Sequence, residues 1–326
     1  MTVRVEHRGE GDLPLLSVST DELELVFAPT RGGRLLSVVH GGRELLWRDP
    51  ALLDASLRPV VPVAEWPTGD GGMSTWANVG GSKTWPAPQG WSGPDEWAGP
   101  PDPVLDSGAW SATWSVDDAV AVVTLTSPDD PRSGLRVTRR FTVPAASPCF
   151  SQHVVFENVS STTRRWAIWE VCQADTAGTA DTAGAVGSPA ETSMVVVPHD
   201  HEPVELDLGT YEGELPSSRR GHDVVLPLGT GVAKRGYPTA SGSVALHDGD
   251  GPVLALSTTP PTSGTWPDGG SKVEVWLQRP TAAPIASLEG LHPSSHLVEL
   301  EVLGPLTTLP PGGRSTLDVE WRVGTG

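Results

Sequence analysis

The chain is short of positive charge. Its 22 Lys and Arg stand against 40 Asp and Glu, a formal net charge of −18, and a surface of that sign repels phosphate backbones and anionic lipid headgroups. Neither nucleic acid nor a membrane is expected as a partner. Only Lys83, Lys234 and Lys272 are lysines. The two cysteines, Cys149 and Cys172, are too few for a disulfide framework, and each falls in a strand-like run where a reduced thiol packs as a small hydrophobe. No window approaches the roughly 18 consecutive apolar residues of a membrane span, and the N-terminal MTVRVEHRGEGD has no apolar core of a secretion signal. A soluble, cytoplasmic protein is the expectation. No CxxC, HExxH, P-loop or helix-opening GxGxxG pattern occurs, so no metal or other cofactor is expected.

What the chain has is punctuation. Its 37 glycines and 32 prolines are spread between short Val, Leu and Thr runs, the spacing of strands and turns. Leu23, Leu25 and Phe27 alternate with polar neighbours at the period of a half-buried strand. Residues 31–47 set an apolar run between two Gly-Gly pairs, which predicts two strands joined by a tight hairpin; His40 beside the second pair reads as a solvated turn residue. Further strands are expected at 120–126, 135–143, 150–159, 192–198, 243–247, 253–257, 272–278, 297–303 and 316–323. The tract 174–190, with ADTAG twice, is too poor in apolar mass to order itself and is expected to be a surface loop. In the HDHE that follows 192–198, His199 and His201 lack identifiable further metal ligands, so a solvated or ligand-facing loop is expected. Many alternating strands without crossover helices predict an all-β, mostly antiparallel sandwich with very little helix, as one domain over 1–326.

One stretch stands apart. Residues 78–110, NVGGSKTWPAPQGWSGPDEWAGPPDPVLDSGAW, are so dense in Gly, Pro and Trp that no helix or regular ladder is expected through them. Trp85, Trp91, Trp97 and Trp110 would each bury about 150–250 Å² when packed, a payload out of place in a solvated linker. Either this is an ordered loop that forms the wall of a binding site, with Asn78, Lys83, Trp85, Gln89 and Trp97 toward the ligand, or it is a long crossover whose tryptophans cap the core.

Two strands carry candidate chemistry. RRWAIWEVCQ at 164–173 sets Trp166, Ile168, Glu170 and Cys172 on one face and Ala167, Trp169, Val171 and Gln173 on the other. Glu170 and the tryptophans either meet a ligand or serve as an edge carboxylate and core aromatics. Glu299 and Glu301, two apart, project from one face. Neighbouring carboxylates raise one pKa toward the range of a base at neutral pH, unless the face is simply solvated.

Three stretches taken together, GGRLLSVVHGGRELLW, NVGGSKTWPAPQ with PPDPVLD, and HLVELEVLGPLTTLPPGG followed by VEWRV, resemble the galactose mutarotase-like superfamily over nearly the whole chain, and most closely a bacterial branch described only as a domain of unknown function. The resemblance implies a β-supersandwich whose concave face binds sugars. It also implies aldose 1-epimerase-like chemistry, with a histidine as general acid at the ring oxygen and a glutamate as general base at the anomeric hydroxyl. Gly80-Gly81 resembles the family's His-Gly-Gly turn, but Val79 stands where the histidine would be, and the second family histidine, which would fall near Trp169 and Glu170, is absent too. VELEVLGP resembles the family's Leu-Glu-Thr-Gln segment, with Glu299 or Glu301 in register as the base. The acid is left to Lys83, Glu170 or one of His199, His201, His292 and His296. Beside a sugar isomerase stand a binding protein that kept the cleft without the chemistry, and a glycoside hydrolase or polysaccharide lyase that would use Glu170 opposite Glu299 or Glu301. The expected partner is a small-molecule sugar or oligosaccharide. An acidic sugar would suit Lys83, Lys234 or Arg279 in the cleft.

Overall fold

Side chains along Cys149–Asn158 are alternately half-buried and buried without a break, and the same period of two runs through Val120–Thr126 and Arg314–Val323. Such strands have one face on a core and one toward solvent. Arg164–Ala174 and Leu297–Leu303 are instead buried on nearly every side chain, as strands must be when loops cover their second face.

The computed structural model describes residues 2–8, 11–66, 73–90, 92–93, 95–176, 192–249 and 251–324. Among them are 22 strands, four short 3-10 turns and no α-helix, hence none long and apolar enough to cross a membrane. The strands form two large sheets. The twelve-stranded sheet runs from Arg4–Arg8 through Leu15–Ser19, Leu23–Ala28, Arg34–His40, Ser82–Ala87, Arg164–Ala174, Leu297–Leu303, Val273–Gln278 and Gly231–Tyr237 to Leu206–Gly213, with two short strands pairing beside this path. The ten-stranded sheet ends at Ser218–Arg220 on one edge and Ser111–Val116 on the other. Pairing is antiparallel throughout the central strands, so the fold is the expected all-β sandwich. The hairpin within 31–47 forms around Gly41 and Gly42, both at positive φ, the conformation a two-residue turn of this kind requires. Both cysteines are free.

Between the sheets Phe27 meets Phe141 at 5.0 Å between ring centroids, and Phe150 stacks on Trp321 at 5.3 Å. The same layer holds one fully buried ion pair: Arg139 Nη2 lies 2.8 Å from Glu170 Oε1. Glu170 also accepts from Ser82, Thr84 and, at 2.8 Å, Gln152. Arg139 Nη1 donates to the Gly33 and Ser82 carbonyls at 2.8 and 3.0 Å.

Two expectations need correction. A regular strand, Ser82–Ala87, does run through the Gly/Pro/Trp-rich stretch. It pairs with Arg164–Ala174 from Ser82 to Ala87 but touches Arg34–His40 only at Leu35 and Ser82, so beyond Ser82 it is laddered on one side, where Pro86 is tolerated. Four strands between Leu206 and Tyr237 also escape the sequence pattern; in the first, Leu206–Gly213, bulges between Asp207 and Gly209 and between Thr210 and Glu212 interrupt the period of two. Of the tract 174–190, residues from 177 onward, like Trp91, lie outside the described residues.

Removing one member of a buried, hydrogen-bonded ion pair leaves an uncompensated charge. Glu170→Ala is therefore expected to lower unfolding stability by about 3–5 kcal/mol. Urea denaturation checks this, and an unmoved midpoint would show that the pair does not hold the sheets.

Candidate functional site

Strand parity assembles the site. Across the twelve-stranded sheet, Lys83 pairs with Val171 and Trp85 with Trp169; Val171 pairs with Glu301 and Gln173 with Glu299; Glu299 pairs with Trp276 and Glu301 with Glu274; Trp276 pairs with Lys234. Directly paired residues project to one face of a sheet, so this face gathers aromatic, amide, carboxylate and ammonium groups from five adjacent strands. The bulges in Leu206–Gly213 then allow Leu208 and Tyr211, at odds in simple alternation, to reach the same cavity. The cavity has a volume of about 280 Å³, and loop residues such as Trp76, Gln89 and Leu288 complete its walls.

Two buried aspartates pin the tryptophan-rich segment. Asp106 pairs with Arg34 and accepts from Trp76 Nε1 at 2.8 Å. Asp102 accepts from the backbone N–H groups of Val104 and Leu105 at 2.8 and 2.7 Å, from Trp97 Nε1 at 3.2 Å and from Arg132 at 2.8 Å. Trp97 packs behind Trp85 at 5.1 Å between centroids. Trp110 lies against Gly33 so closely that a Cβ there would stand 2.3 Å from its ring. All three of Trp85, Trp97 and Trp110 belong to the core cluster, and of them Trp85 also lines the cavity.

The charges are arranged in two groups. Glu299 Oε1 accepts from Gln173 Nε2 at 2.7 Å and lies 3.7 Å from Lys83 Nζ; its Oε2 has no protein partner among the described residues. Lys83 is fully buried, its Nζ 4.8 and 5.1 Å from the ring centroids of Trp85 and Trp76. Burial lowers its pKa to about 7, outweighing the opposing pull of Glu299. In the second group Lys234 Nζ lies 2.7 Å from Glu274, 3.2 Å from Glu301 and 4.2 Å from the Trp169 centroid. Burial works against the charge on Lys234, but the two carboxylates prevail and hold its pKa above the ordinary lysine value. Burial pushes Glu301 well up, with Glu274 adding and Lys234 opposing, while Trp169 Nε1 donates to its Oε2 at 2.6 Å. Asp268 is raised to about 7, by burial first and then by Glu274.

Of the residues singled out in the sequence, Asn78, Trp85, Gln89, Trp169, Lys234 and Glu299 line the cavity. Lys83 and Glu301 sit beneath it in contact with its lining, and Trp97 lies one layer further back. Glu170 is on the opposite face of its strand, inside the sandwich, so it neither meets this cavity nor opposes Glu299 or Glu301 across it. Arg279 is held by Glu212 at 2.8 Å and does not line the cavity. His199 is buried with its Nδ1 on the Val197 carbonyl, and His201 is exposed. Sequence reasoning passed over Trp276, Tyr211 and Asp268, all of which line the cavity. The alternation of Glu274, Trp276 and Gln278 was there to find Trp276; Asp268, in a Pro-Asp-Gly-Gly turn with φ of 50°, has no such signal.

No family model matches the chain, and no curated protein matches it in sequence. Solved structures do match in shape. A galactose mutarotase-like protein from Clostridium acetobutylicum aligns over 100% of this chain and 99% of its own, with a TM-score of 0.55 and 8% identity. A Klebsiella pneumoniae protein provisionally assigned as an aldose 1-epimerase aligns over 98% of this chain and 82% of its own, with a TM-score of 0.59 and 13% identity. A TPR-domain protein from Parabacteroides distasonis gives a TM-score of 0.56 at 14% identity over 95% of this chain, which spans only 46% of that protein. The fold is the galactose mutarotase-like β-sandwich.

The buried Lys83 has a measurable signature. Its folded pKa lies below its unfolded value, so between about pH 7 and 10 the unfolded chain binds the extra proton and stability rises with pH. Lys83→Met is expected to remove about 2 kcal/mol of that rise between pH 7 and 9. Paired urea titrations of wild type and variant check this, and identical slopes would place the ammonium in water.

Proposed function

We propose that the protein binds a sugar in this cavity and acts at its anomeric carbon, as an aldose 1-epimerase-like isomerase with Glu299 as general base. The observation that carries the reading is the Glu299 carboxylate: one oxygen is anchored by Gln173, the other is open, and Trp85, Trp169 and the half-buried Trp276 line the same cavity. Aromatic faces stack on pyranose C–H faces, and a carboxylate with an open oxygen can take the anomeric hydroxyl proton. Glu301 is less suited, since its carboxylate is fully buried between Trp169 and Lys234.

The histidine acids that the family resemblance implies are missing, and Asp268 supplies the best replacement. It lines the cavity, and its pKa of about 7 leaves a carboxyl proton to give at neutral pH. In the forward step Glu299 removes the proton of the C1 hydroxyl, the bond from C1 to the ring oxygen breaks, and Asp268 protonates that oxygen. The product is the open-chain aldehyde. Rotation about C1–C2 and closure on the other carbonyl face return both protons and give the opposite anomer.

Anomer exchange of several aldoses by saturation-transfer NMR tests this. Glu299→Gln and Asp268→Asn are each expected to lose about 10²-fold or more, and the wild-type rate should fall as pH rises through about 7 and Asp268 deprotonates. A wild type that accelerates no aldose would leave a sugar-binding protein without chemistry.

A further inference from the structure

The charge inventory of the cavity constrains what the sugar carries. The one cation that lines it, among the described residues, is Lys234, and its ammonium is already shared by Glu274 and Glu301 at 2.7 and 3.2 Å. Lys83, beneath the floor, is matched to Glu299 at 3.7 Å. Arg279, the remaining cation considered for the cleft, is taken by Glu212. Both lysines at the cavity thus have a carboxyl partner already, Lys234 in Glu274 and Glu301 and Lys83 in Glu299, and no cation is left over for a ligand among the described residues. A phosphate or carboxylate on the ligand would find no free cation there and would meet the open oxygen of Glu299, at a cost of unpaired like charge.

The aromatic walls point the same way. Lys83 already lies over Trp76 and Trp85, and Lys234 over Trp169, so three of the rings carry an ammonium on one face. Trp276 and Tyr211, half-buried and 5.7 Å apart between centroids at an angle of 49°, carry none among the described residues. Trp276 pairs across the strands with Glu299, whose second oxygen is open. A vacant pair of aromatic faces beside an open carboxylate is a setting that attracts an organic cation.

We propose that the ligand is a sugar bearing a protonated amine, held with its ammonium between the Trp276–Tyr211 pair and the open carboxylate oxygen of Glu299. This rests on the reading of the cavity as a sugar site but not on catalysis there.

Calorimetric titration of the full chain with glucosamine, glucose, glucose 6-phosphate and glucuronate, and with the corresponding galactose series, tests it at low and high salt. The amino sugar is expected to bind on the order of tenfold more tightly than its neutral parent, the anionic sugars least, and the preference should shrink with added salt. Trp276→Ala and Glu299→Gln should each reduce the preference while leaving the melting transition in place; should either variant fail to fold, the other and the salt series still decide. Equal binding of the amino and neutral sugars, binding of an anionic sugar as tight as the neutral one, or no binding by any of them would overturn the proposal. Anomer exchange is read separately: amino-sugar preference without exchange removes the isomerase and leaves this inference standing, whereas exchange on neutral sugars without the preference does the reverse.

Discussion

One carboxylate between the sheets sets the geometry of the cleft. Glu170 is buried where an ionised group survives only if fully matched, and it is matched by Arg139, Ser82, Thr84 and Gln152. Those partners come from both sheets, so the carboxylate fixes how the sheets face each other and which way its own strand is turned. Because side chains alternate, turning Glu170 inward turns Trp169 and Gln173 outward, and turning Ser82 and Thr84 inward does the same for Lys83 and Trp85. A slip of one residue in either strand would expose the ion pair and bury the cleft's groups at once.

Much of this was legible in the sequence. The alternation of 164–173 separates Glu170 from Trp169 correctly, whereas the strand at 82–87 is hidden by the Gly and Pro around it and only its tryptophan and lysine mark the stretch out. What alternation leaves open is which face is the cleft. For Glu170 the pattern allows a ligand-facing or an edge carboxylate, and it is neither: it lies between the sheets on Arg139, 31 residues back, a partner that no local pattern announces. Glu299 and Glu301 do share a face, yet one is open and the other sealed, a difference made by Trp169 and Lys234 arriving from other strands. Tyr211 was hidden for a local reason, since the bulges that deliver it also erase the pattern by which a strand is recognised.

The lysines of the site illustrate how little a formal charge count says about a cavity. Lys83 and Lys234 lie on the same sheet face, but one is surrounded by rings and the other by carboxylates, and their pKa values move in opposite directions. Burial sets the first and neighbours set the second. A cation-poor chain has placed two of its three lysines within this one small volume.

Asp106 serves two masters, the Arg34 guanidinium in the sheet and the Trp76 indole in the cavity wall. A segment tethered through a buried ion pair cannot swing aside as a gate without stranding a charge. On this wall the cleft is therefore preorganised: a ligand would enter a cavity whose wall is already in position, with little ordering entropy spent there on binding and a residence time governed by its fit rather than by the opening of a lid.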